Sequence, residues 1–225
     1  MADEYGVKII KFEYDYNYDY QKITDKISNF INEYKSEDII KNIGHYLGIN
    51  PFDLFILKKF VEENNIKSIL ELGAGASSLF IDNLGINRKS FALESVAYEI
   101  EYEKFDIFKN YNIIQDYIKN NEVDMFIIDC EHSHEMAKLI DENFLKLVEY
   151  KKPVFIHDWF DYDKIGYSEQ RYYLDYIVKN YDVEYMTDLP NDCVLSLLKL
   201  NSEINKNNEE FTNIPRCSAI LKSKK

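Results

Sequence analysis

Short, nearly continuous apolar runs alternate with helical patterns from Pro51 to the C-terminus, and this alternation constrains the fold more than any other feature of the chain. Strands that are apolar on both faces occur where helices cover both sides of a parallel sheet. The expected fold is therefore α/β, with a doubly wound, mostly parallel seven-stranded sheet. The predicted strands are Ser68–Leu72, Ser90–Glu94, Asn112–Asp116, Val123–Asp129, Pro153–Asp158, Val183–Met186 and Arg216–Lys222.

Helical patterns separate these strands and also precede them. Apolar residues recur at three- and four-residue spacing after Ile23, so we expect residues 1–50 to form an N-terminal helical extension and residues 51–225 to form the sheet domain. The segment Cys193–Leu200 fits a helix or a strand, because short apolar runs do not separate the two. Further helices are predicted over Pro51–Asn65, from GAGASS to about Gly85, and over Val96–Asp106, His134–Tyr150 and Glu169–Tyr181.

Polar and glycine residues follow the predicted strands directly. In doubly wound sheets, ligands bind outside the carboxyl ends of the strands, near the point where the strand order reverses. Because parallel strands end at the same edge, which we call the carboxyl edge, the topology gathers these residues there. They lie in Glu71–Ser78, Glu94, Asp116, Asp129–His134 and His157–Trp159.

The first two of these segments indicate an adenosine-containing ligand. Gly73 and Gly75 follow the first strand, where the backbone must turn tightly and approach a ligand closely. Glu94 ends the second strand, where a carboxylate can accept hydrogen bonds from both ribose hydroxyls.

S-adenosylmethionine is favoured over NAD as that ligand. Ser78 stands where the third glycine of a G-x-G-x-x-G motif would fall, and the acidic Glu71 would repel a pyrophosphate. Glu71 suits a ligand that carries an amino group and a sulfonium. A Rossmann-type nicotinamide enzyme and a catalytically silent S-adenosylmethionine-binding protein remain as alternatives.

The segments ILELGAGASS, FALES, IIQDY, IIDCEHSHEMAKL and VFIHDWF resemble motifs of the class I S-adenosylmethionine-dependent methyltransferases, which have a Rossmann-like sheet. The pattern is most similar to small-molecule O-methyltransferases with an Asp-x-x-His loop after strand four. The resemblance runs from about Pro51 to the C-terminus and implies that the N-terminal helices form a lid and acceptor pocket. It implies cofactor binding by Glu71, Gly73, Ala74, Gly75, Ser77, Glu94, Ser95, Asp116, Tyr117 and Asp129.

The same resemblance raises the question of a divalent cation, Mg²⁺ or Mn²⁺. Carried over by position, the ligands would be Asp129, His157 and Asp158. His157 stands where a carboxylate is usual, and Cys130 replaces a glycine. Because Mg²⁺ prefers oxygen ligands, His157 weakens the case for magnesium and leaves Mn²⁺, Fe²⁺ or no metal.

Methyl transfer to an alcohol needs an aligned acceptor and a group that takes its proton. The expected catalytic residues are His132, His157 and Asp129, since imidazole titrates at about pH 6.5. His134 begins a helix and is expected to be structural. The resemblance implies a hydroxyl acceptor on a small molecule, with a sugar or nucleotide-sugar preferred.

Charge and motif content argue against nucleic acid and membranes as partners. The net charge of −13 argues against nucleic acid, as does the lack of an Asn/Asp-Pro-Pro-Tyr/Phe segment after the fourth strand. The 3 cysteines form no CxxC motif, and neither a signal peptide nor a membrane span is visible. We therefore expect a cytoplasmic enzyme that does not bind membranes, and homo-oligomer formation stays open.

Overall fold

The computed structural model describes residues 51–93, 100–131, 133–157, 176–186 and 218–224. The predicted N-terminal extension and the segment Cys193–Leu200 lie outside these residues. Along the described chain the helices are α1 (Pro51–Glu63), α2 (Ala76–Asn83), α3 (Ile107–Asn120) and α4 (His134–Ile140). The strands are β1 (Ser68–Leu72), β2 (Asn87–Ala92), β3 (Glu103–Lys104), β4 (Met125–Ile128), β5 (Val154–Ile156), β6 (Tyr181–Met186) and β7 (Ala219–Ser223).

The seven described strands form one sheet in the order β3-β2-β1-β4-β5-β7-β6. Along the sheet from β3 through β2, β1 and β4 to β5, neighbouring strands are parallel. Strand β7 is antiparallel to both of its neighbours, β5 and β6. The predicted doubly wound, mostly parallel seven-stranded sheet is therefore confirmed. The strand order reverses at β1, which lies between β2 and β4, so the ends of β1 and β4 flank the point where such sheets bind ligands.

Both faces of the central strands are covered, which explains their continuous apolar sequence. All four residues of β4 are buried. Phe126 and Ile128 belong to a core cluster with Ile114 of α3 and Ile140 of α4. The residues that alternate with them along β4 are equally buried, so helices must cover the opposite face as well.

The third strand was predicted at the wrong place. Asn112–Asp116 lies inside α3, whose buried residues are Ile107, Ile114 and Ile118. Ile114 and Ile118 are four residues apart, which is the spacing of one helix face, and Asp106 caps the start of α3 by accepting hydrogen bonds from the backbone N–H groups of Phe108 and Lys109. The backbone of Asn110 is non-helical, so α3 is kinked there. The apolar pair in NIIQD resembles a short strand because it is too short to show a period.

The actual third strand is Glu103–Lys104, which pairs with Phe91 and Ala92 of β2. It lies within the predicted helix Val96–Asp106, so that prediction is also wrong in its described part. Both strand residues are exposed, which leaves no apolar run to predict a strand from.

Helix α4 is shorter than predicted because its backbone changes. After Ile140 the chain continues as a π-helical turn over Asp141–Leu145 and then as turns to Tyr150. In a regular helix over His134–Tyr150, the sequence places Met136, Phe144 and Leu147 on one apolar stripe. Met136 and Phe144 are buried, but Leu147, which follows the wider π turn, is 41% exposed.

Other boundaries shift by a few residues. β2 begins at Asn87 rather than Ser90 and ends before Glu94. β6 begins at Tyr181, directly after a 3₁₀ turn, so the helix predicted to reach Tyr181 ends earlier. In the part of the chain that the structure describes, no helix is both long and apolar enough to cross a membrane.

The helical assignment of Asn112–Asp116 can be tested with two adjacent isoleucines. Ile114 is 0% exposed and Ile113 is 42% exposed. We expect Ile114→Ala to lower the free energy of unfolding by about 2–5 kcal/mol, because it leaves a cavity between α3 and the sheet. Ile113→Ala should change it by less than about 1 kcal/mol. Urea unfolding measures both, and equal losses would contradict this placement.

Candidate cofactor and catalytic site

Backbone hydrogen bonds hold the loop after β1 against both neighbouring strands. The Gly73 N–H donates to the Phe91 carbonyl of β2 at 2.8 Å, and the Asp129 N–H donates to the Leu72 carbonyl at 2.8 Å. Because Asp129 directly follows β4, the structure brings the predicted glycine loop and the predicted catalytic loop together at the carboxyl edge.

Gly73 is required by the fold itself. Its φ angle is +103°, a left-handed conformation that side chains rarely adopt. A Cβ atom built on Gly73 would lie 1.9 Å from the carbonyl oxygen of Asp129. The close approach of the two loops is therefore possible only because residue 73 has no side chain.

Gly75 is not required in this way. It precedes α2 as the N-cap residue, and its N–H donates to the Ser78 hydroxyl at 3.0 Å. A Cβ atom at Gly75 would meet no atom of the described residues within 4 Å. The loop thus has an open face at Gly75, next to the half-buried Ala74, where a ligand can approach the backbone closely.

Glu71 lies underneath this loop rather than on its open face. Its carboxylate is 0% exposed and accepts hydrogen bonds from the hydroxyls of Ser77 at 2.6 Å, of Ser78 at 2.7 Å and of Ser90. Arg88 Nη1 lies 3.4 Å from the same carboxylate. Burial raises the pKa of Glu71, while the three hydroxyls and Arg88 oppose that shift. Glu71 and Ser77, both predicted to bind the cofactor, therefore support the loop from below.

Asp129 and His157 form a pair at the ends of β4 and β5. His157 Nδ1 lies 3.0 Å from Asp129 Oδ1. A carboxylate that accepts the Nδ1–H fixes the imidazole tautomer and leaves Nε2 as the basic nitrogen. The His157 side chain is 1% exposed and that of Asp129 is 26% exposed. Asp129 is thus the member of the pair that reaches the surface of the carboxyl edge.

The described residues do not make a divalent-cation site. Among them, no group of three or more histidine, cysteine, aspartate or glutamate side chains is placed to hold a metal. Asp129 and His157 are hydrogen-bonded to each other, and Asp158, the third expected ligand, lies outside the described residues. The described residues therefore do not support a bound cation.

Asp116 and Tyr117 lie on a helix and not at the end of a strand. Asp116 is exposed on α3, and the Tyr117 ring packs 6.1 Å from that of Phe91. The premise that placed these two residues at the carboxyl edge, a strand ending at Asp116, is wrong. Four further candidates lie outside the described residues: Glu94, Ser95, His132 and Asp158.

The chain that does follow β3 is Phe105–Asp106, which the sequence interpretation missed. The Phe105 ring lies 5.2 Å from that of Phe91, and the Asp106 side chain caps α3. An Asp directly before a helical apolar period is a helix-start signal and could have located this strand end.

Two further polar residues of the loop after β4 and the start of α4 are Cys130 and His134. Burial raises the pKa of the Cys130 thiol, and the neighbouring Asp129 and Glu131 raise it further, so the thiol stays protonated and is a poor nucleophile. His134 is the first residue of α4, and its ring contacts that of Tyr176 edge-on at 6.2 Å.

Comparison with solved structures gives a likeness in fold, whereas the two other comparisons find no match. No protein-family model and no curated protein matches the chain. The crystal structure of a SAM dependent methyltransferase from Archaeoglobus fulgidus covers 76% of this chain and 94% of its own, with 14% identity and a TM-score of 0.36. Similarity at this level shows neither a shared family nor a shared activity.

The two loop glycines should respond differently to substitution. Gly73→Ala introduces a positive-φ side chain and a contact at 1.9 Å with the Asp129 carbonyl, so we expect a loss of about 3 kcal/mol or more in unfolding free energy. Gly75→Ala should cost less than about 1 kcal/mol, because its Cβ meets open space. Thermal and urea unfolding without ligand test this, and equal destabilisation by both substitutions would refute the assignment.

Proposed function

We propose that the protein is an S-adenosylmethionine-dependent methyltransferase that transfers a methyl group to a hydroxyl of a small molecule. One observation carries the proposal: at the reversal point of the sheet, the glycine loop that is open at Gly75 contacts, through Gly73, the backbone of Asp129, whose side chain pairs with His157. The loop can receive the cofactor while the pair receives the acceptor. The resemblance of ILELGAGASS, FALES, IIDCEHSHEMAKL and VFIHDWF to methyltransferase motifs supports the same cofactor, whereas IIQDY lies inside α3 and gives no support.

The geometry beneath the loop favours S-adenosylmethionine over NAD. In dinucleotide folds the third glycine permits close packing of helix on strand, and the pyrophosphate binds backbone N–H groups at the helix start. Here Ser78 is 0% exposed and places its hydroxyl between α2 and the Glu71 carboxylate. The Gly75 N–H points to this hydroxyl, so one amide that a pyrophosphate would use is engaged internally.

The remaining cofactor contacts are proposals from position. Glu94 and Ser95 follow β2 in the sequence and are assigned to the ribose hydroxyls. Phe105 and Asp106 follow the actual third strand and replace Asp116 and Tyr117 as the segment that borders the adenine.

Asp129 is the residue best placed to receive the acceptor proton. When bound, S-adenosylmethionine supplies a methyl group on a sulfonium that already activates it for in-line displacement. Asp129 can accept a hydrogen bond from an acceptor hydroxyl at the carboxyl edge, and His157 holds its carboxylate from behind. A proton acceptor positioned in this way contributes about 10²- to 10⁴-fold to such reactions. His132 remains an expected second participant.

The small, hydroxylated acceptor is the class that the motif resemblance implies, and the charge of the protein bears only on large polyanions. The net charge of −13 disfavours polyanions such as nucleic acids. A sugar or nucleotide-sugar is the preferred class, and the cytoplasm is the proposed location because the few, odd-numbered cysteines suit a reducing compartment.

Calorimetric titration tests the cofactor. We expect S-adenosylmethionine and S-adenosylhomocysteine to bind the wild-type chain and NAD not to bind. Gly75→Ala should weaken S-adenosylhomocysteine binding by about tenfold or more, because its Cβ occupies the open face of the loop. Asp116→Asn is the control and should leave affinity unchanged, since Asp116 lies exposed on α3. Binding of NAD without binding of S-adenosylmethionine would overturn the proposal.

Methyl transfer from labelled S-adenosylmethionine to a panel of sugars and nucleotide-sugars tests the catalytic pair. We expect Asp129→Asn to lower turnover by about 10²-fold or more, and His157→Gln to lower it less, with S-adenosylhomocysteine affinity within about threefold of wild type. Glu131→Gln, an exposed neighbour, should have an effect below about twofold.

Two results would contradict parts of this proposal. Full turnover in Asp129→Asn would exclude the pair from catalysis. Cofactor binding without methylation of any panel member would remove the proposed acceptor class and favour the catalytically silent alternative.

A further inference from the structure

Arg88, near the start of β2, has a side chain that is only 2% exposed. Its Nε donates to Asp82 Oδ1 at 2.9 Å and its Nη2 donates to Asp82 Oδ2 at 2.7 Å. This two-bond pairing uses the planar geometry of a guanidinium, which a lysine ammonium cannot reproduce. Arg88 therefore fixes the last turn of α2, where Asp82 lies, to β2.

The remaining nitrogen of Arg88 reaches other parts of the chain. Nη1 donates to the Glu101 carbonyl at 3.2 Å and to the Ser90 hydroxyl, and it lies 3.4 Å from Glu71 Oε2. Glu101 lies just before β3, on the chain that comes from the end of β2. One buried guanidinium thus connects α2, β1 and the chain entering β3.

Arg88 thus contacts two elements, α2 and the chain before β3, and each of them leads to the candidate cofactor site. Helix α2 begins at the open glycine loop, and β3 leads to Phe105–Asp106 at the carboxyl edge. Glu71 alone does not require Arg88, because three serine hydroxyls already donate to its carboxylate. Besides its hydrogen bond to the Ser90 hydroxyl, Arg88 bonds to Asp82 of α2 and to the Glu101 carbonyl before β3, both at shorter distances than its 3.4 Å contact with Glu71.

We propose that Arg88 is a positioning residue for the cofactor: by holding α2 and the chain entering β3 together, it sets the spacing between the glycine loop and the opposite wall of the adenosine site. Arg88 does not touch the ligand. The inference rests on the proposed function for the identity of that ligand, whereas the anchoring of the chain before β3 can be measured without any ligand.

Lys89 offers a matched control. It is the next residue of β2, and its ammonium pairs with Glu103 of β3. This pair also joins β2 to β3, but the Lys89 and Glu103 side chains are 30% and 47% exposed. An exposed pair of this kind contributes little to stability. Lys89→Met therefore removes a connection between the same two strands without disturbing the buried network.

The test combines ligand-free hydrogen exchange with calorimetry on Arg88→Lys, Arg88→Met and Lys89→Met. We expect Arg88→Lys to speed amide exchange in residues 100–105 by about tenfold or more, while amides of Met125–Ile128 and Val154–Ile156 stay within about twofold. Its dissociation constant for S-adenosylhomocysteine should rise by about tenfold or more. Arg88→Met should exceed Arg88→Lys in both effects, and Lys89→Met should stay below about twofold in both. Arg88→Lys keeps the charge and stem, so it serves if Arg88→Met does not fold.

The exchange rates test the anchoring by Arg88, and the S-adenosylhomocysteine affinities test its positioning role. Unchanged exchange at residues 100–105 in Arg88→Lys, or an equal rise throughout the chain, overturns the anchoring. Faster local exchange with unchanged S-adenosylhomocysteine affinity makes Arg88 a structural residue and overturns its positioning role. If the wild-type chain binds neither S-adenosylmethionine nor S-adenosylhomocysteine, the proposed function and the ligand part of this inference fail, and the exchange data still decide the anchoring.

Discussion

The candidate site depends on a contact between two backbone segments. Gly73 lies so close to the carbonyl of Asp129 that a Cβ atom would stand 1.9 Å from the oxygen. This contact joins the loops that follow β1 and β4, at the position where the strand order reverses. Because the loops meet without intervening side chains, the open face at Gly75 and the Asp129 carboxylate share one edge. The backbone of His157 is held to the end of β4 as well, since the His157 backbone N–H donates to the Ile128 carbonyl at 3.0 Å.

A second constraint operates beneath that contact. A carboxylate buried as deeply as that of Glu71 destabilises the fold by several kcal/mol unless hydrogen bonds compensate it. Ser77, Ser78 and Ser90 supply those hydrogen bonds. The two serines of the GAGASS segment, Ser77 and Ser78, therefore serve first to compensate the buried Glu71 carboxylate. The motif thus divides into a supporting side, with Glu71 and the serines, and an open side at Ala74 and Gly75.

The sequence predicts the central strands because they are buried on both faces, and burial requires continuous apolar residues such as those of Met125–Ile128. It does not predict β3, because Glu103–Lys104 is an exposed edge strand that needs no apolar residue. The π turn at Asp141–Leu145 is a change of backbone hydrogen bonding, and the spacing of apolar side chains does not predict it. At the site, strand ends predict which residues meet, as for Asp129 and His157. The direction of each side chain depends on packing, which the sequence pattern does not contain.

That difference changes the assignment of the base. Composition draws attention to histidine, because imidazole titrates near neutrality. In the structure the His157 ring is 1% exposed and lies behind Asp129, whose side chain is 26% exposed. A proton taken from an acceptor hydroxyl would therefore reach Asp129 first, with His157 acting through their shared hydrogen bond. In the proposed reaction, the base is therefore the hydrogen-bonded Asp129–His157 pair, with Asp129 as the member that faces the acceptor.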